Sequence, residues 1–387
     1  CRLSDLTGGS GEPAGVMGSI PGASEDGSYV YFVASGALTG GQTNDRGEVA
    51  IPGQANLYMS HGGVTRLVVV LSSEDGKNWP AQLKNLTVRV SPDGRWFAFM
   101  SDRPLTGFDN RDAISGKRDE EVFLYHAGEG GEGRLVCASC NPTGGRPRGV
   151  LWSGPLEKIL GHIGPGAFSR FLGNNLAAIL PGWTNPYYQS RYLSNSGRLF
   201  FDSFDGLVPQ DTNGAEDVYQ FEPSGVGGCT AGSATFVIAT DGCVGLISSG
   251  SSPESSAFFD ASESGGDAFF LTSAQLSPLD TDSAIDIYDA HECDPGEDCA
   301  PPVSVPVPAC EGDACQSPVA APEDPTPGSL TYQGPGNPLT PTVNTKPRAK
   351  PKPVRCKRGF IERHDKCLKT KAKRRAKKAK RANRGGN

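Results

Sequence analysis

The sequence predicts an all-β fold: a β-propeller of antiparallel meanders, closed or incomplete, followed by a disordered Pro-rich and basic C-terminal tail. Three observations carry this. A tight turn feeding an aromatic strand occurs four times. Gly (51) and Pro (31) are abundant among the 387 residues, which suits short strands joined by turns. No apolar run approaches the ~18 residues of a spanning helix, and outside the basic end no 3.6-residue period is sustained. A transmembrane segment is therefore not expected. A wholly disordered chain is not expected either, since 36 % of residues are hydrophobic.

The elements follow in order. Residue 1 is Cys, and the text Cys1-Arg-Leu-Ser-Asp-Leu-Thr7 reads as the end of a strand. The chain is accordingly read as an N-terminally truncated fragment, with a lipidated Cys or other processing as alternatives. The four turns are Ser24-Glu-Asp-Gly27, Ser91-Pro-Asp-Gly94, Ser194-Asn-Ser-Gly197 and Ser262-Glu-Ser-Gly265, each followed by an apolar strand ending near Phe32, Phe99, Phe201 or Phe270. A Leu follows each turn glycine by 10 or 11 residues (Leu38, Leu105, Leu207, Leu276). Four residues further on stand Gln42, Asp109, Asp211 and Asp280. A second strand then opens with a polar residue and carries an aromatic two positions later: Asn56/Tyr58, Glu121/Phe123, Asp217/Tyr219 and Asp286/Tyr288.

Units are thus placed near 24–71, 91–137, 194–247 and 262–290. Residues 141–190 hold Gly/Pro-rich text with apolar pieces at 161–167 and 176–180, and are either a degenerate blade or a long insertion. A lone meander cannot bury both faces, and packing blades around an axis solves this. The propeller body is assigned to 1–292. Residues 293–350 read as a Pro-rich linker, and 351–387 as a Cys-bracketed hairpin with a basic tail.

The segment Ser91-Pro-Asp-Gly-Arg-Trp-Phe-Ala-Phe-Met-Ser-Asp102, together with the strand opening Asp217-Val-Tyr219, resembles the WD40-like repeat of TolB-type β-propellers. The texts at 24–34 and 191–203 are closer in look to a group of large exported actinobacterial propeller proteins. The resemblance covers roughly residues 15–292 and implies a fold of six or seven blades. It brings no catalytic residues, because the family pattern is structural.

Two acidic loops are candidate calcium sites. Asp211, Asn213 and Asp217, and again Asp280, Asp282 and Asp286, fall at positions 1, 3 and 7 of a short loop. Calcium takes six to eight oxygens at about 2.3–2.6 Å, which carboxylates and carbonyls supply. The competing reading is that these residues cap turns through their own backbone. No other metal site or cofactor is expected. Ten of the 11 cysteines form close pairs: Cys137/Cys140, Cys229/Cys243, Cys293/Cys299, Cys310/Cys315 and Cys356/Cys367, leaving Cys1. Local pairing of this kind points to disulfides in an exported protein. A redox dithiol at 137–140 and a zinc site at His291, Cys293, Asp294 and Cys299 are weaker alternatives. His61 and His126 read as turn residues, and His162 is the one histidine with a chance of lining a pocket.

Charge divides the chain. Residues 346–387 carry 19 Lys/Arg and two acidic residues, net +17, leaving −23 on the rest. The tail is expected to contact an anionic envelope polymer, with nucleic acid disfavoured by the signs of export. The reading is an exported or cell-envelope, non-catalytic binding or scaffold protein with a protein or polymer partner. The alternative is a propeller-based hydrolase or lyase acting on an extracellular polymer, for which no nucleophile, His motif or carboxylate pair is selected by spacing.

Overall fold

A computed structural model describes residues 1, 3–8, 13–17, 21–75, 87–128, 133–151, 174–181, 188–293, 360–363 and 366–369. Two compact units are present, Cys1–Glu311 and Gly312–Asn387. In the second, β19 (Phe360–Arg363) pairs antiparallel with β20 (Lys366–Lys369), Glu362 opposite Cys367. The hairpin expected between Cys356 and Cys367 is described only there. Cys299, Cys310, Cys315, Cys356, Asp294, His162, nearly all of the linker and the rest of the basic tail lie outside the described residues.

The first unit is all-β, with four mainly antiparallel sheets among the described residues. Sheet 1 pairs β1 (Gly22–Ala23), β2 (Tyr29–Ala34), β3 (Asn56–His61) and β4 (Val64–Val70) in chain order. Sheet 2 is β5 (Arg89–Val90), β6 (Trp96–Ser101), β7 (Asp119–Ala127) and β8 (Gly133–Cys137), joined by β9 (Val150–Leu151) and β10 (Asn175–Leu176), the latter parallel to the start of β7. Sheet 3 runs β11 (Ala178–Ile179), β12 (Leu199–Ser203), β13 (Asp217–Pro223), β15 (Gly242–Leu246), β14 (Phe236–Val237). Sheet 4 holds β16 (Ser256–Ala261), β17 (Asp267–Thr272) and β18 (Asp286–His291).

The four turns share one construction. In each, the glycine N–H donates to the serine carbonyl three residues back, at 2.8–3.1 Å. The same serine's hydroxyl accepts the N–H of the residue opening the next strand: Tyr29, Trp96, Arg198 and Asp267. The glycines adopt positive φ, which L-residues with a Cβ resist. Two of them have a second reason to be glycine. A Cβ on Gly94 would meet Tyr29 at 2.6 Å, and one on Gly197 would meet the Trp96 ring at 2.6 Å. The turns of sheets 2 and 3 therefore sit against the strand opening of the sheet before.

Stacking of consecutive sheets explains the strand sequences. On β6 and β7, Phe97, Phe99, Phe123 and Tyr125 face sheet 1, where the Phe97 and Tyr31 rings stack at 4.6 Å. The alternate residues Ala98, Met100, Val122 and Leu124 join the core shared with sheets 3 and 4. A strand buried on both faces is apolar at every position rather than at every second one. Sheet 3 meets sheet 4 through Phe200 and Phe258, 5.1 Å apart.

The structure revises one expectation and adds two features. His61 and His126 are strand residues: each ring stacks on the aromatic opposite it, His61 on Tyr29 at 3.8 Å and His126 on Trp96 at 4.0 Å. The described parts of 141–190 add short strands to sheets 2 and 3 instead of building a sheet of their own. Lastly, each of the four sheets begins before its turn, at β1, β5, β11 and β16.

Candidate functional site

Acids at or near the start of the third strands are held by serines just past the fourth. In sheet 3 the Ser248 hydroxyl donates to Asp217 Oδ1 (2.5 Å) and accepts the N–H of Val218 (2.9 Å). In sheet 2 the Ser139 hydroxyl donates to Glu121 Oε2 (2.6 Å) and accepts the N–H of Val122 (2.8 Å). One serine thus satisfies a buried carboxylate and a backbone donor together, as burial of polar groups requires. Burial still pushes the Glu121 carboxyl well above its usual range and raises Asp217 against the pull of Ser248 and Asn213.

The aromatic two residues on has its own task. The Tyr219 hydroxyl donates to Asp211 Oδ2 (2.5 Å) and accepts the N–H of Leu207 (3.1 Å). Tyr288 does the same with Asp280 (2.5 Å) and Leu276 (3.2 Å). In sheet 1, where Gln42 replaces the Asp, Tyr58 donates to the Gly36 carbonyl (2.6 Å) and accepts from Leu38 (3.1 Å). Sheet 2 carries Phe123, which has no hydroxyl; there Leu105 N–H turns to the Arg103 carbonyl (2.7 Å). Asp109, released from that duty, accepts from Arg111 and Arg146, and the Arg111 bonds above all hold its carboxyl far below the ordinary range.

The two proposed calcium loops differ. In the first, Asp211 is occupied by Tyr219, and Asn213 donates its amide to Asp217 Oδ2 (2.6 Å). Asp217 Oδ1 takes Ser248 and the Gly250 N–H as well. These donors compete with a cation for Asp211 and Asp217. In the second, carboxylate oxygens of Asp280, Asp282 and Asp286 lie within 4.8 Å of one another. Glu121 with Cys137 and Cys140 forms another group of this spacing, but both sulfurs are in a disulfide, which removes the thiolates a metal would bind. Metal-capable clustering is therefore retained at the second loop, and the kind of ion is not fixed by it.

Burial acts most strongly on a few carboxylates. Glu216 is 3 % exposed and neither of its oxygens has a hydrogen-bond partner. Burial, with Asp202 and Asp217 near, drives its carboxyl well above the normal range. Asp202, which accepts the Phe258 N–H, is raised for the same first reason. Burial also pushes Asp75 and Asp119 up to about 7.

Disulfides join Cys137 to Cys140 and Cys229 to Cys243; Cys293 is also disulfide-bonded, and Cys1 is free and exposed. Such bonds fit an oxidising, extracytoplasmic setting, and the bond at Cys293 removes the thiolate that the zinc alternative drew from it. Among the described residues no helix is long and apolar enough to cross a membrane. A cleft of about 520 Å³ beside Cys137 and Cys140 is lined by Phe108, Leu135, Pro142 and Val237, with Arg46 at its border. No histidine lies among its lining residues.

No family model matches the chain, and no curated protein matches it. Among solved structures, an acylaminoacyl peptidase in complex with Z-Gly-Gly-Phe-chloromethyl ketone is 11 % identical, with a TM-score of 0.22, covering 70 % of this chain and 37 % of that one. A puromycin-hydrolyzing peptidase from Mycobacterium tuberculosis is 11 % identical, with a TM-score of 0.21, covering 72 % of this chain and 40 % of its own. The chain thus spans two-fifths or less of those proteins, and likeness at this level carries no argument about function.

Proposed function

We propose that this chain is an exported, non-catalytic binding or scaffold protein of the cell envelope. In this reading its body is a WD40-like, TolB-type propeller array, and its basic end contacts an anionic polymer. The observation that supports it most is the employment of the recurring acids. Glu121, Asp217, Asp211 and Asp280 each accept from a serine or tyrosine whose hydroxyl also accepts a backbone N–H. Catalytic carboxylates need instead to converge on a space a substrate can enter. The four shared turns, those of sheets 2 and 3 resting on the sheet before, favour the repeat array. Charge supplies the second half: +17 on residues 346–387 against −23 on the remainder suits contact with a polyanion.

The test compares the full chain with one lacking residues 346–387 for retention on purified anionic cell-wall polymer, at low and high salt. Retention should fall about tenfold or more on deletion, and full-chain retention should fall with salt as charges are screened beyond ~8 Å. Equal retention with and without the segment would end the tether reading.

A further inference from the structure

Two carboxylates lie together in the interface between sheets 3 and 4. On β12, Phe200 and Asp202 share a face, because side chains alternate along a strand. Phe200 stacks on Phe258 of β16, so this is the face turned to sheet 4. Asp202 Oδ1 accepts the Phe258 N–H (2.8 Å), which places its carboxylate in the interface. Glu216, just ahead of β13, is tied to the same strand: its carbonyl accepts the Ser256 N–H (2.8 Å). Asp202 pairs with Val218, two residues on from Glu216. Of the neighbouring charges, Asp202 acts on the Glu216 carboxyl ahead of Asp217, the next residue in the chain. Ser256 lies on the same side of β16 as Phe258 and is 1 % exposed.

Burial makes this pairing costly. Asp202 and Glu216 are each 3 % exposed, and neither Glu216 oxygen has a hydrogen-bond partner. A carboxylate taken out of water needs donors, an opposite charge or a proton. The other sheets avoid the problem at the same positions. In sheet 2 they hold Met100, opposite Val122, and Glu120. There Glu120 accepts the Asn174 amide (2.7 Å), and Met100 Sδ takes the Leu180 N–H (3.4 Å). Sheet 1 holds Val33 and Ala55, and sheet 4 holds Leu271 and Ile285. Among the described residues, sheet 3 alone sets an acid beside an acid here and gives Glu216 no donor.

We propose that Asp202, Glu216 and the Ser256 hydroxyl bind a calcium ion that fastens sheet 4 to sheet 3. The donors are all oxygen, which selects a hard cation over zinc or copper. A dry, enclosed site disfavours magnesium, which dehydrates reluctantly and keeps several waters. A cation engages both Glu216 oxygens at once. A single shared proton serves one of them and leaves the other without a partner. The site is separate from the acidic loops: Asp211, Asp280, Asp282 and Asp286 take no part in it.

Urea midpoints of the full chain at pH 8, disulfides intact, test this. Samples are refolded in EDTA or in about 10 mM calcium chloride, above the range of weak protein sites, so that slow entry does not hide binding. EDTA sets the baseline, where Glu216→Gln is more stable than the wild type because a buried charge is gone. Calcium should raise the wild-type midpoint by about 0.5–1 M if it stands at a hundred times its dissociation constant. Glu216→Gln and Asp202→Asn should lose most of that rise, and Asp282→Asn should keep it. Magnesium at the same concentration should give a smaller rise. An unchanged wild-type midpoint overturns the proposal and leaves the pair to a shared proton. A full rise in Glu216→Gln, or one abolished by Asp282→Asn alone, overturns it too and assigns the calcium to the acidic loop.

Discussion

Replacing Tyr219 by Phe removes one hydroxyl that serves two neighbours. It donates to Asp211 at 2.5 Å and accepts the Leu207 N–H at 3.1 Å. A hydrogen bond to a charged group contributes about 1.5–3 kcal/mol, and a buried donor left without an acceptor costs about 1–3 kcal/mol. Leu207 is 3 % exposed, so water does not reach its N–H. Tyr219→Phe should therefore cost about 3 kcal/mol. Tyr288→Phe breaks bonds of nearly the same length to Asp280 and Leu276, but Leu276 is 38 % exposed. Water can replace the hydroxyl there, and the loss should be about 1 kcal/mol or less. Sheet 2 is a natural comparison: with Phe123 in place, Leu105 N–H is satisfied by the Arg103 carbonyl. Urea unfolding of the two variants, read as midpoints with unchanged slope, measures the difference. If Tyr288→Phe costs as much as Tyr219→Phe, burial of the shared donor is not what sets the energy and the reasoning fails.

Further outcomes follow from the buried acids and the disulfides. Glu216 and Asp202 are raised in the folded chain, so the folded state holds protons that the unfolded state releases. Their favourable contribution is complete below the unfolded carboxylate range and is lost as pH rises through the folded values. Asp75 and Asp119 place part of that loss between about 4 and about 7. Urea midpoints should thus be higher at pH 5 than at pH 8. Glu216→Gln should raise the pH 8 value by about 1–3 kcal/mol and flatten the slope, and a steeper slope would contradict this. Removing Cys229–Cys243, with a sequence separation of 14, should cost about 3 kcal/mol, and removing Cys137–Cys140, with a separation of 3, about 2 kcal/mol by loop closure. The order of the paired Cys→Ser midpoints checks it. Gly197→Ala should destabilise more than Gly214→Ala, because only at Gly197 does a Cβ meet a ring, at 2.6 Å from Trp96; equal losses would mean positive φ alone decides.

Much of the body was legible because its signals are local. The four turns could be placed from Ser and Gly at fixed spacing, and the structure builds them with the same serine–glycine bond. Aromatic strands and the leucine after each turn were visible for the same reason. What stayed hidden depends on partners distant in sequence. Strands β1 and β5 are two residues long and carry no period of their own. Ser139 and Ser248 looked like ordinary loop serines, and only pairing with Glu121 and Asp217 gives them a task. Ser139 follows Glu121 by 18 residues and Ser248 follows Asp217 by 31, so no fixed spacing marks them. The acidic loops were alike as text, yet Asn213 reaching Asp217 closes one, while three aspartates cluster in the other. His61 and His126 were misplaced because a ring facing a ring across a hairpin is not a local property.

The central claim is that the body's carboxylates hold strands and that the chain binds polymer without cleaving it. The most direct measurement incubates the full chain with purified anionic cell-wall polymer and then resolves the polymer by size. The account predicts an unchanged size profile, identical for the wild type and for Glu121→Gln and Glu216→Gln. Release of shorter fragments by the wild type, abolished in either variant, would contradict it and assign the chain to the hydrolases or lyases.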